Sequence, residues 1–515
     1  MVAQRVSSNP RPVRRASITN LGCKVNQAEM EAVGRFLQGR GIDLVAEGTP
    51  VDLHVVNTCS VTAVADDKSR KALRRARRTS PDATLVVTGC AVAVDPAGFA
   101  HEDPRALLAT NLAAGGSGAE IERLLGFALI PADGSGAASQ ACVAAALPTL
   151  GGVEVTGGED AAARIDRTRA FVKVQDGCSF HCTYCIIPRA RGPERSIAPD
   201  AVLAEVRRTL AAGHREIVLT GINIGTYDGG WSERGARGAH ARSATTLAGL
   251  VRRILAETDV ERIRLSSIEP QHVDDDLLEA WRWEGAGRCL PHFHLPLQSG
   301  DDGVLRRMGR RYDSARYAAV VARIRAAFPG AAVHADAIVG FPTEDDAAWN
   351  RSLAFVRSLD LAGIHVFRYS ERPGTPATRM VGHVPGPVRR ARAAELLVLA
   401  AEARRTFAAR AVGGERRVLF EQRDPAGGWT GHAEDNILVR AVPPGDTVAL
   451  AGELARVAIE RVDPSDSGRV TGRLLERLPP SPARSVGNAG VNAVVRFRPE
   501  VGGLATRARS SGGPA

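Results

Sequence analysis

Aromatic residues supply only 4% of this 515-residue chain, and no run of eighteen apolar residues occurs in it. The second absence leaves no conventional membrane-spanning helix. The first fifteen residues hold Arg5, Arg11, Arg14 and Arg15 and no acid. They lack the apolar stretch of a secretory signal, so a disordered basic tail is expected there rather than an organellar address. Eight cysteines are too sparse for a disulfide scaffold of this length. A reducing cytoplasm, with no membrane partner, is the expected setting, and clustered cysteines there point to metal.

What the chain does have is length, positive charge and an unusual placing of thiols. Its length exceeds what one core supports, so two to four domains are expected. The net charge of +10 favours a polyanionic partner such as nucleic acid. Arginine clusters at Lys71–Arg78, Arg306–Arg311 and Arg389, Arg390, Arg392 are either parts of such a surface or solvated helix faces.

Cys178, Cys182 and Cys185 stand in the run Gly177-Cys178-Ser179-Phe180-His181-Cys182-Thr183-Tyr184-Cys185. Three thiolates this close share a metal readily, and three is one short of the four that fill a 4Fe–4S cluster. One iron would be left free to bind and activate a small molecule. A zinc site normally supplies a fourth Cys or His at similar spacing. A zinc knuckle, or buried thiols without chemistry, is the competing reading.

Residues 17–90 alternate between strand and helix patterns. Ser17–Leu21, Val51–Val56 and Thr84–Thr88 read as buried parallel strands, with helices over 26–39 and 63–79. Cys23, Cys59 and Cys90 each follow one of these strands. In a parallel sheet the carboxyl ends share one edge, so these cysteines are expected to converge. Residues 91–165 lose the rhythm and include an expected linker or insertion over 131–165. Cys142 and Cys289 have no partner by spacing and are read as incidental. From Thr168 the alternation resumes, with strands at Phe171–Val174, Glu216–Leu219, Ile263–Ser267, His292–Leu297, Ala332–Val339 and Gly363–Phe367, and a closing helix over 388–411. About six βα units argue for a full or partial barrel with chemistry at the carboxyl ends of its strands. Short runs at Val418–Glu421, Ile437–Val439, Thr447–Leu450, Leu454–Ile459 and Val470–Leu474 then suggest a small β-barrel. The expected class is α/β: an N-terminal parallel α/β domain (16–130), a partial (β/α) barrel (166–412), a small β-barrel (413–478) and a disordered tail (479–515).

The ordered motifs resemble those of the radical S-adenosylmethionine methylthiotransferases. They run from Leu21-Gly22-Cys23-Lys24-Val25-Asn26-Gln27 through Asn57-Thr58-Cys59-Ser60-Val61-Thr62, Thr88-Gly89-Cys90 and Cys178–Gly192. LTGIN (219–223), LSSIEP (265–270), HLPLQSG (294–300), IVGFPTE (338–344), HVFRYS (365–370) and Gly374-Thr375 complete the set. Within that family the opening motif, with Thr62 after Ser60-Val61, resembles the branch that modifies N6-threonylcarbamoyladenosine in tRNA. The branches acting on N6-isopentenyladenosine or on a ribosomal protein are alternatives, as is an iron–sulfur RNA-binding protein without turnover.

The resemblance implies two 4Fe–4S clusters, one on Cys178, Cys182 and Cys185 and an auxiliary one on Cys23, Cys59 and Cys90. The first would bind S-adenosyl-L-methionine and split it to a 5′-deoxyadenosyl radical; the second would carry the sulfur. Thr220, Gly221, Ser267, Glu269, Gln298 and Gly340 would line the cofactor. Lys24, Arg189 and Arg191 would hold substrate phosphates or a carboxylate. The partners implied are tRNA and an electron donor such as flavodoxin or ferredoxin, with the enzyme a monomer. The small barrel resembles a TRAM module, whose contact with RNA here would be mainly electrostatic, given so few aromatics.

Overall fold

The computed structural model describes residues 13–109, 168–229, 246–443 and 449–480, apart from 286 and 467. Cys142, the expected linker, most of both tails and the loop after Gly229 lie outside these residues. No described helix is long and apolar enough to cross a membrane.

The first sheet is parallel, with strands β1 (Arg15–Asn20), β2 (Asp43–Leu44), β3 (Leu53–Thr58), β4 (Thr84–Gly89) and β5 (Leu107–Ala109) in the order β2-β1-β3-β4-β5. Every residue of β3 is buried, as a central strand covered on both faces requires. The two-residue period divides its side chains. Leu53 and Val55 pack with Met30, Val33 and Leu37 of the helix Lys24–Gly39, whereas Val56 packs with Leu73 and Ala76 of the helix Ala63–Thr79. Thr62 caps the second helix, its hydroxyl accepting from the Ala65 amide. The alternation does not stop at Cys90 as the sequence suggested. Helices Cys90–Val94 and Pro96–Glu102 lead into β5; they are too short to show a helical period, which hid them.

Six further parallel strands build a partial barrel. The strands β6 (Arg169–Lys173), β9 (Glu216–Thr220) and β10 (Arg262–Leu265) form one sheet. The strands β11 (His292–Gln298), β12 (Ala332–Val339) and β13 (Gly363–Arg368) form the other. Parallel bridges Ile263–Cys289 and Ser267–His294 join the two, and one apolar core runs beneath both. Cys289 is buried in that core, a packing role. A short ribbon, β7 (Gln175–Asp176) with β8 (Arg195–Ser196), flanks the cysteine loop.

The helix Gly386–Ala409 leads to a closed five-stranded barrel of β14 (Glu415–Arg423), β15 (Trp429–His432), β16 (Leu438–Val442), β17 (Leu454–Val462) and β18 (Arg469–Leu478). Sequence patterning had not placed β15, and it had placed a strand ending at Leu450, which lies in no strand. The barrel is not an appendage. Its core is continuous with Ala332, Ala362, Phe407 and Ala408. Buried Arg262 and Arg264 of β10 share Glu216 and donate to barrel carbonyls at Arg417, His432 and Ala433.

Candidate metal centres and the cavity between them

Cys23, Cys59 and Cys90 follow β1, β3 and β4, so the parallel sheet delivers all three to its carboxyl edge. The loops are knitted by Asn26, which accepts from the Cys23 thiol (3.2 Å) and donates to Asn57 (2.6 Å). Gly89 has φ 99°, and a Cβ there would lie 2.3 Å from the Thr58 carbonyl. Only glycine lets the Cys59 and Cys90 loops approach so closely. Burial pushes the Cys90 thiol up to about 11 and also raises Cys59; the nearby Cys23 raises both.

The second triad occupies the loop after β7. Gly177 has φ 68° and sits against the Pro193 carbonyl, where a Cβ would be 2.0 Å away. The Phe180 amide donates to Cys178 Sγ (3.4 Å), and Arg310 donates to Cys182 Sγ (3.4 Å). Arg310 is held in turn by Glu269. Burial pushes Cys185 up to about 12, with Cys182 and Cys178 adding to the rise. Thiols so placed resist ionising alone, and a bound cation would replace the proton.

The spacing separates the metals. Among the described residues the one set of three metal-ligand atoms within 4.8 Å of one another is His294, Asp336 and His365. Each cysteine triad is therefore wider than that. A tetrahedral zinc, with bonds of about 2.3 Å, needs sulfurs roughly 3.8 Å apart. The sulfurs of Cys178, Cys182 and Cys185, spread and with N–H donors, suit a four-iron cluster instead.

Arg191 does not lie open to a substrate. It is 4% exposed, donating to Glu29 (2.9 and 3.1 Å) and Asp176 (2.9 Å), which also hold Lys173. It also draws on the Cys90 thiol. This group ties the helix Lys24–Gly39 to β6 and to the cysteine loop. Arg189 is exposed and donates to the Pro373 carbonyl (2.8 Å). Thr220 and Gly221 end β9, where Gln175 accepts from the next two amides. Ser267 and Glu269 follow β10, Gln298 ends β11 at φ 69°, and Gly340 follows β12 at φ 75°, its amide donating to Glu344. These positions lie at the carboxyl ends of their strands, as expected.

A cavity of about 200 Å³ opens beside Cys185, lined by Val61 and Thr62 of the loop after Cys59 and by Cys185, Gln298, Asp336 and Phe367. Lys24, next to Cys23, is solvent-accessible yet walled by protein. Burial, then Arg169 and Arg264, hold its amine below the usual range, while Asp336 works against them. Asp336 lies 2.9 Å from His294 Nε2 and accepts from His365 Nδ1 at 3.1 Å.

Sequence reading had missed Arg310 and the His294–Asp336–His365 group. Arg310 was in view only as part of a basic run. His294 and His365 were available inside the HLPLQSG and HVFRYS motifs.

A partial parallel barrel with three cysteines in the loop after its first strand defines a radical S-adenosylmethionine enzyme. Residues 172–356 match the radical SAM superfamily, and residues 15–110 match the uncharacterized protein family UPF0004. The chain is 35% identical over 394 residues to the threonylcarbamoyladenosine tRNA methylthiotransferase MtaB of Bacillus subtilis, covering 75% of this chain and 80% of that one. It is 32% identical to the Thermotoga maritima protein of the same name, over 81% and 89% of the two chains. It is 31% identical to the tRNA-2-methylthio-N(6)-dimethylallyladenosine synthase of Maricaulis maris, over 89% and 98%. The chain belongs to the radical S-adenosylmethionine methylthiotransferase family, and it is an enzyme of that class.

Proposed function

We propose that this enzyme adds a methylthio group to carbon 2 of N6-threonylcarbamoyladenosine at position 37 of tRNA, next to the anticodon. Clusters on the two cysteine triads, with S-adenosylmethionine, would supply the radical and the sulfur. A cavity lined by Cys185 of one triad and by Val61 and Thr62, just after Cys59 of the other, supports a reaction with two centres. The observation that carries the substrate is Lys24, a cation beside Cys23 that feels the charge of Asp336 on the cavity wall. A threonylcarbamoyl side chain ends in a carboxylate, whereas an isopentenyl group offers a cation nothing. The relatives named for threonylcarbamoyladenosine agree with this reading.

The chain's own residues would then divide the work. Arg310 positions the Cys182 loop through its sulfur and Glu269. Thr220, Gly221, Ser267, Glu269, Gln298 and Gly340 border the cofactor. Lys24 and Arg189 face the nucleotide, and Arg191 acts as a positioning residue for both centres. The five-stranded barrel would serve as a TRAM-like RNA module, and a flavodoxin or ferredoxin would deliver electrons to a monomeric, cytoplasmic enzyme.

Nucleoside mass spectrometry of tRNA from cells lacking the chain tests the substrate. The methylthio form of threonylcarbamoyladenosine should disappear. Loss of the methylthio form of isopentenyladenosine instead would overturn the assignment. In vitro, Lys24→Met should raise KM for tRNA about ten- to hundred-fold, the worth of a charged hydrogen bond, with a smaller change in kcat.

A further inference from the structure

The cavity continues outward into a second groove of about 350 Å³, and the two share Thr62, Phe367, Arg368, Tyr369 and Ser370. Three features distinguish this mouth. Phe367, at the end of β13, is 39% exposed, with Val61 and Val64 exposed across from it. Arg368 and Arg390 are exposed and pair with no acid among the described residues. Arg390 sits with Arg389 at the start of the helix Gly386–Ala409, whose first turn carries no acid. Cations there oppose the helix dipole, and nothing local offsets that cost. Other arginines of the basic runs are paired: Arg70, Arg74 and Arg77 face Asp95, Glu102 and Asp103, and Arg392 is buried on Glu344 and Asp346.

We propose that this groove binds single-stranded RNA, one unstacked base lying on Phe367 and the adjoining phosphates on Arg368 and Arg390. The inference rests on the reading of an RNA substrate and names where its loop enters. Charge complementarity and continuity with the Cys185 cavity select this occupant. A duplex keeps its bases stacked and has no face to give Phe367; a loop has one. The nucleotide so held is a neighbour of the base that enters the cavity. Among the described residues Phe367 is the one aromatic in the set of exposed large apolar side chains.

The test measures binding of a short RNA stem-loop carrying threonylcarbamoyladenosine to reconstituted holoenzyme at several salt concentrations. Phe367→Ala should weaken binding about five- to hundred-fold, the range for one lost base stack. Phe367→Trp should bind as the parent does, and Phe367→Leu should resemble the alanine variant. Arg390→Gln, an exposed change with no packing consequence, should flatten the salt slope by about one. Equal affinity for the parent and Phe367→Ala overturns the groove. Full affinity in Phe367→Leu also overturns it, because apolar packing would then suffice. A parent enzyme that binds no stem-loop overturns the RNA reading and the groove together.

Discussion

A chain with alanine at Cys178, Cys182 and Cys185 should hold about four iron atoms after anaerobic reconstitution, against about eight in the parent, and form no 5′-deoxyadenosine. The reason is geometric. The two triads sit on different sheets, and each is supported by its own loops: Asn26, Asn57 and Gly89 on one side, Gly177 and Arg310 on the other. Emptying one site leaves the scaffold of the other in place. The converse variant separates the roles. Cys59→Ala should still cleave S-adenosylmethionine with dithionite but insert no sulfur. Iron falling to zero in the first variant, or staying at the parent level, would break the two-site assignment. Methylthiolation by Cys59→Ala would remove the auxiliary centre from the reaction.

The other large effect is expected from Arg191→Gln. Although burial works to raise them, Lys173 and Arg191 hold the Glu29 and Asp176 carboxyls below their ordinary range. Without the guanidinium, the two buried carboxylates keep only Lys173 and, 3.6 Å from Asp176, Arg195. Breaking a buried pair this way costs about 3–5 kcal/mol. The sign with pH follows from the lowered values. The stabilisation is fully present above the unfolded carboxylate pKa, roughly 4, and is lost as pH falls through the folded values. The deficit of Arg191→Gln should therefore be largest near neutrality and shrink in acid. Urea unfolding at pH 7 and at about pH 3, inside that window, measures it. A midpoint unchanged at pH 7 would show that the cluster does not bind the first sheet to the barrel. Arg191→Lys should recover only part of the loss, because a lysine cannot make the two-pronged contact with Glu29.

Much of this was legible in the residues. Alternating apolar patterns gave three of the five strands of the first sheet and the six of the partial barrel to within a few residues, because a two-residue or 3.6-residue period is a local property; the short edge strands β2 and β5 escaped. Both cysteine triads could be read for a related reason. One is contiguous, and the members of the other each follow a strand, so knowing that the sheet is parallel brings them to one edge. Pieces too short for a period escaped: the helices after Cys90, and β15 with its four residues.

The partners of the charges were a different matter. The run Arg306–Arg311 reads as one basic patch. Yet Gly309, at φ 74°, ends the helix Asp302–Met308 and turns the chain, so that Arg310 enters the site against Cys182 and Glu269. Arg191 was expected at the substrate and is instead spent on Glu29, a residue 162 positions away in sequence. His294, Asp336 and His365 meet because β11, β12 and β13 are neighbours in one sheet, and Lys24 feels Asp336 from a different element, the helix Lys24–Gly39 packed on β6. Most strands, the two cysteine triads and the family resemblance are written in local spacing and could be read from it. Which arginines are buried, which stay exposed without an acid beside them, and what lines the cavity depend on the tertiary structure, because a side chain's charge partners are set by which strands become neighbours.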